Sequence, residues 1–174
     1  MYAAVARELG GELARRSIEL IYGGGRVGLM GEVADGCLEA GGRVTGVIPQ
    51  DLWDLEIGHS GLSELRVSTG MHERKALMAE MADGFIALPG GFGTYEELFE
   101  QLTWGQLGHH RKPVVVLDIE GFYEPLFNLL AGAEREGFMH SAHQRLLTRA
   151  HTIDEAIALV HLPTAEPVPK WSHR

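Results

Sequence analysis

Cysteine is nearly absent from this sequence: Cys37 is the only one in 174 residues, so no internal disulfide can form. No apolar run approaches the roughly 20 residues that a membrane-spanning helix requires. The opening segment MYAAVARELG carries Arg7 and Glu8 and has no small-residue cleavage site after an apolar core, so it does not read as a secretory signal. A reducing cytoplasm is the expected location. Positive charge is also scarce, with 15 Lys plus Arg against 24 Asp plus Glu and a formal net charge of -9. That balance argues against a broad phosphate-backbone footprint on nucleic acid, and any anion must be held locally. Other signatures are missing as well. There are nine histidines, yet no His-Glu-x-x-His or cysteine-histidine cluster, so no metal site is expected. No Gly-x-Ser-x-Gly elbow occurs, and no glycine-rich stretch ends in the Lys-Ser or Lys-Thr of a nucleoside-triphosphate loop.

What is present is a chain of 45% hydrophobic and 22% charged residues, long enough to bury a real core. It reads as one domain over residues 1–162, followed by a proline-rich tail, 163–174, expected to be extended. Val5, Leu9 and Leu13 recur at helical spacing, predicting an opening amphipathic helix to about Arg16. Short apolar runs follow at 19–22, 43–48, 65–68, 84–88 and 114–118, with a weaker one at 147–150. Helical patterns fall between them: one carrying Leu29, Val33 and Cys37 and stopping at Gly41-Gly42, then about 71–81, 94–107 and 123–135, with a last helix at 153–160. Strands this apolar, alternating with helices, predict an α/β fold with a parallel sheet covered on both faces. Cys37 is expected in the core, and residues 51–65 fit neither pattern and read as a loop insertion.

In such sheets ligands bind beyond the carboxyl ends of the strands. Two loops there are glycine-rich. The first, Tyr22-Gly23-Gly24-Gly25-Arg26-Val27-Gly28-Leu29-Met30-Gly31, leads from a strand into a helix, a context that suits an anion held by backbone N–H groups at Gly24 and Gly25; it equally suits a tight turn. The second, Leu88-Pro89-Gly90-Gly91-Phe92-Gly93-Thr94-Tyr95-Glu96-Glu97, also enters a helix. Here Thr94 and Glu97 have capping-box spacing, so Glu97 serves either chemistry or the cap. On a helical wheel Tyr95, Leu98, Phe99 and Leu102 form one apolar face, and Glu97, Gln101 and Trp104 lie opposite, suggesting a cleft wall or a subunit contact at Trp104. A third segment, Met71-His72-Glu73-Arg74-Lys75-Ala76-Leu77-Met78, places Arg74 on the face of Met71, Met78 and Met81. The guanidinium therefore starts on the buried side, where it needs an anionic partner, a structural one or a ligand. The methionines read as core.

Taken together, YGGGRVGLMG, MHERKALM and PGGFGTYEE resemble the Lonely Guy family of cytokinin-activating phosphoribohydrolases, formerly labelled possible lysine decarboxylases. The segments GVIPQDLWDLEIGHSGLSEL, ADGFIALPGG, TWGQLGHHRKPVVVLD and GFYEPL also look like the family's connecting segments, in order and spacing. The resemblance implies a Rossmann-like, doubly wound homodimer that cleaves the N-glycosidic bond of N6-modified AMP, releasing free base and ribose 5-phosphate without a cofactor. By motif position it assigns Arg74 and Glu97 as the catalytic pair. It assigns Glu56, Met71, Lys75, Gly90, Gly91, Phe92, Gly93, Thr94, Tyr95, Glu96 and Thr103 to the substrate. A nucleotide or phosphorylated-cofactor binder on the same fold is the alternative. Decarboxylation by pyridoxal phosphate would need a Schiff-base lysine, and none of Lys75, Lys112 or Lys170 sits in such a motif. Family members carry a strand and a Gly-Ser-Ser-type loop before the first helix. This sequence begins inside the matching helix, at Tyr2, so the expectation is either an upstream start or an altered sheet.

Overall fold

The computed structural model describes residues 1–55 and 58–163, and the proline-rich tail expected at 163–174 lies almost entirely outside the described residues. The chain divides into two compact units, Met1–Ala82 and Asp83–Arg174.

In the first unit the order is α1 (Tyr2–Arg15), β1 (Leu20–Tyr22), α2 (Gly28–Glu39), β2 (Val44–Pro49), α3 (Gln50–Asp54), β3 (Glu64–Ser68) and α4 (Met71–Met81). The inward stripe of α1 is Ala6, Leu9 and Leu13, at the predicted helical spacing, and Val33, Ala34 and Cys37 face inward from α2. The expected core position of Cys37 is therefore met, and burial pushes its thiol pKa up. Backbones of α1 and α2 approach closely through two glycines: a Cβ on Gly10 would fall under 3.0 Å from the Val33 carbonyl, and one on Gly36 equally close to that of Arg7. Outside this contact Arg7 pairs with Glu32 at 2.7 Å and with Glu39. Strand β2 lies between β1 and β3 in a parallel sheet, with Ile21 opposite Thr45 and Val47 opposite Arg66. All six of its residues are buried, as befits a central strand covered on both faces.

The second unit runs β4 (Phe85–Ala87), α5 (Phe92–Leu107), β5 (Val114–Leu117), a 3₁₀ turn (Ile119–Gly121), α6 (Glu124–Arg135), α7 (Ser141–Gln144), β6 (Leu147–Ala150) and α8 (Ile153–Val160). Its parallel sheet has the order β4-β5-β6, with Phe85 opposite Val114 and Val116 opposite Arg149. The core gathers Leu98, Val114, Val116, Tyr123, Leu126, Leu130 and Leu147.

All six apolar runs are thus parallel strands alternating with helices, and the fold is α/β and Rossmann-like. Among the described residues each unit carries one three-stranded parallel sheet. Three details differ from expectation. The 51–65 segment opens with helical residues, since Pro49 pre-sets the extended backbone before α3 and closes β2. Helix α5 starts at Phe92, two residues before the predicted Thr94. Met71 is exposed, and Met78 and Met81 are only half-buried, so the methionines are not deep core. No helix among the described residues is long and apolar enough to cross a membrane.

Candidate functional site

The candidate residues fall in both units, and each set is built by its own unit. In the first unit, β1 ends at Tyr22 and the chain turns through the glycine loop into α2. Two of its glycines have positive φ, 73° at Gly24 and 65° at Gly28, a backbone region where a Cβ is strained. A Cβ on Gly23 would fall under 3.0 Å from the Arg74 guanidinium, and one on Gly31 would collide with the Arg26 backbone. Gly24 and Gly25 are both buried. The Gly24 carbonyl accepts the His59 N–H at 2.9 Å, and Gly25 forms an antiparallel bridge to Gly58. His59 in turn bonds Asp35 of α2 at 2.9 Å. The tight-turn reading of this loop is therefore satisfied by the fold itself.

Arg74 sits in the first turn of α4 and is only 7% exposed, as its helical face predicted. Its Nε donates to the Val47 carbonyl at 3.1 Å, in the middle of β2, and its Nη1 lies 3.9 Å from the Met71 sulfur. A cation this buried, lying over Gly23, is fixed in direction by backbone on two sides. Lys75 is buried beside it in sequence. The start of α4 is held by Glu73, whose carboxylate accepts both the N–H and the hydroxyl of Thr69 at 2.6 Å. Those bonds hold its pKa below the ordinary carboxylate value. Glu56 lies outside the described residues.

In the second unit, β4 runs into Pro89 and the glycine loop. Gly91 is the N-cap of α5, and no side chain caps the helix. The capping-box expectation is thereby corrected: Thr94 is the third residue of the helix and not its N-cap, and Glu97 is half-buried in the second turn. Gly90 is tight, because a Cβ there would meet the Thr94 side chain. Gly91 and Gly93 behave differently. Neither has positive φ, and a Cβ on either would find no atom within 4 Å. Phe92 between them is 94% exposed, and Glu96 is exposed too. Uncapped N–H groups, room at two glycines and the helix dipole together favour an anion approaching this turn.

The rest of α5 corrects the helical wheel. Its buried stripe is Leu98, Gln101 and Gly105, with Tyr95 and Leu102 packed against the core, whereas Phe99 is exposed and Trp104 is half-buried. Thr103 is exposed and donates its hydroxyl proton to the Phe99 carbonyl at 2.7 Å, leaving its oxygen lone pairs for any partner. Sequence reasoning passed over Asp118 and Tyr123, although a carboxylate directly after the strand VVVL was a readable sign. Asp118 is buried at the end of β5, accepting the Tyr123 N–H at 2.8 Å and Arg149 Nε at 2.5 Å.

Residues 30–160 match a family model described as possible lysine decarboxylase. The chain is 46% identical over 170 residues to the cytokinin riboside 5'-monophosphate phosphoribohydrolase LOG of Oryza sativa subsp. japonica, covering 98% of this chain and 69% of that one. It is 47% identical over 163 residues to the cytokinin riboside 5'-monophosphate phosphoribohydrolase of Rhodococcoides fascians, with coverages of 93% and 82%. Among solved structures, the molybdenum cofactor carrier protein of Chlamydomonas reinhardtii superposes with a TM-score of 0.67 at 25% identity, covering 90% of this chain and 84% of that one.

Proposed function

Because the chain belongs to the Lonely Guy family, whose model carries the description possible lysine decarboxylase, we propose that it hydrolyses the N-glycosidic bond of N6-modified AMP. Water adds to the anomeric carbon, the bond from that carbon to the base nitrogen breaks, and a proton leaves with the base. The products are free base and ribose 5-phosphate. The observation that carries this reading is the start of α5: a helix entered through glycines with open space around Gly91 and Gly93 and no side-chain cap of its own. Such a turn suits a phosphate. Glu97, one turn further on, supplies a carboxylate for the cation-like sugar carbon or its attacking water. Arg74, buried and aimed by the Val47 carbonyl, joins Glu97 as the second catalytic residue. Glu56, Met71, Lys75, residues 90–96 and Thr103, with Gly24 and Gly25, are the residues proposed to contact the nucleotide. The enzyme works in the cytoplasm.

The binding-only alternative draws on the fold shared with the molybdenum cofactor carrier protein. The identity of 46–47% to hydrolases against 25% to the carrier favours hydrolysis. Incubation with AMP, N6-isopentenyl-AMP and the matching ribosides, followed by chromatography for free base, tests both readings. Base from the monophosphates and little from the ribosides is expected. Binding without base release would replace the hydrolase reading, and equal cleavage of the ribosides would remove the phosphate grip.

We further propose a homodimer. Its contact surface is expected to include the Trp104 side of α5, together with the exposed Phe99, Leu107 and Phe138 of the same unit. Sedimentation of Phe138→Asp checks it: monomers are expected, and an unchanged dimer would move the interface elsewhere.

A further inference from the structure

Tyr123 belongs to none of the residues assigned to the substrate, yet it is the largest fully buried side chain among the described residues. Its phenol donates to the carbonyl of Leu88 at 2.5 Å. Leu88 is the residue at which the chain leaves the sheet: β4 ends at Ala87 opposite Val116, whereas β5 runs on to Leu117 opposite Ala150. The next residue is Pro89, which has no N–H and so cannot extend the ladder. A side chain therefore takes over where backbone pairing stops, two residues before Gly90.

The other end of Tyr123 is equally fixed. Its N–H is accepted by Asp118 Oδ1 at 2.8 Å, and the same buried carboxylate holds Arg149 of β6. Its ring packs edge-on against Phe122, with centroids 5.1 Å apart. Arg149, Asp118, Tyr123 and Leu88 thus form a chain of hydrogen bonds from the far strand of the sheet to the exit of β4. Deletion of the phenol would leave the Leu88 carbonyl without this donor and loosen the exit while the ring still fills the core.

We propose that Tyr123 is a positioning residue for the 90–96 loop, setting through Leu88 the direction in which the loop enters α5. The substrate half of this inference rests on the hydrolase reading above. The mechanical half stands independently of it.

The test compares Tyr123→Phe with wild type and with Leu130→Ala, which opens a cavity in the same core without removing a hydrogen bond. Amide hydrogen exchange at Gly90, Gly91, Gly93 and Thr94 is measured relative to Val115 and Val116 in β5, and base release from AMP is followed in parallel. For Tyr123→Phe, loop exchange relative to β5 is expected to rise about tenfold, with a similar loss in kcat/KM for AMP. Leu130→Ala is expected to lower the melting temperature more and leave that exchange ratio near wild type. A Tyr123→Phe ratio equal to wild type, or one matched by Leu130→Ala, overturns the positioning role. If wild type itself releases no base, the hydrolase reading fails and the exchange ratio alone decides the role of Tyr123.

Discussion

The two glycine-rich turns look alike in sequence and are opposite in what they demand of the fold. In the turn after β1, glycines are required by the protein itself: Gly24 and Gly28 have positive φ, Gly23 makes room for the Arg74 guanidinium, and Gly31 lies against the Arg26 backbone. In the turn after β4, Gly91 and Gly93 have ordinary backbone and empty space. Gly91 is a favourable N-cap, whereas Gly93 lies in the first helical turn, where glycine gains the helix nothing over alanine, so the packing of the second unit does not require a glycine at Gly93. The open space at both is what the proposed nucleotide would use. A glycine count therefore does not identify a binding loop, whereas the space around each glycine does.

The comparison breaks most visibly in the first turn. Gly31→Ala pushes a methyl into the Arg26 carbonyl, which can yield only by moving backbone. A loss of about 3 kcal/mol is expected, seen as a melting temperature lower by about 10 °C. A variant within a degree or two of wild type would show that the first loop's glycines are not dictated by packing.

In the second turn the largest effect should be chemical. Glu97→Gln keeps the size and shape of the side chain while removing its charge, and Thr94, inside the helix, is not an N-cap that Glu97 completes. Turnover is expected to fall about 10²-fold or more, with the melting temperature nearly unchanged. Near-normal release of base by this variant would remove Glu97 from the chemistry.

How much of this was legible beforehand depended on the kind of signal. The strands were, because runs such as VVVLD are too apolar for anything but a doubly covered sheet. The inward direction of Arg74 was also readable, since three methionines on its face fixed the helical phase even though they pack only partly. The start of α5 is not legible from Thr94 and Glu97, because they satisfy a spacing rule and spacing cannot reveal that Gly91 three residues earlier already ends the loop. Its buried face was misassigned for a related reason. Gly105 has the His110 ring close by, and Gln101 is buried beside Leu98, so a small and a polar residue occupy positions that a hydrophobic wheel gives to Phe99. Tyr123 was invisible as a loop support, because its partner is a main-chain carbonyl 35 residues away.

A smaller effect with the opposite sign sharpens the contrast. Gly93→Ala adds a methyl into open space near the start of α5 and is expected to be neutral or to raise stability by about 0.5 kcal/mol. Activity should fall through a higher KM for AMP, because the added methyl occupies space offered to the nucleotide. Thermal melting and steady-state kinetics on one preparation separate the two effects. A melting temperature lower by several degrees would give Gly93 a structural role like that of Gly31.

The smallest expected effect lies at Glu73, which secures the start of α4 next to Arg74. Its carboxylate is held below the ordinary value of 4.5 by the two donors of Thr69. A carboxyl whose pKa is lower folded than unfolded contributes stability above the unfolded value, and loses it as pH falls through the folded one. Wild type should therefore melt above Glu73→Gln near pH 7, with the gap closing as pH falls through and below the ordinary carboxylate range. The side chain is exposed, so the gap is small. Because the Val47 carbonyl and the close fit over Gly23 hold Arg74 independently, base release by the variant should stay close to wild type. A marked loss of activity at pH 7 with an unchanged melting temperature would show that the Thr69 bonds, and not those contacts, set the direction of the guanidinium.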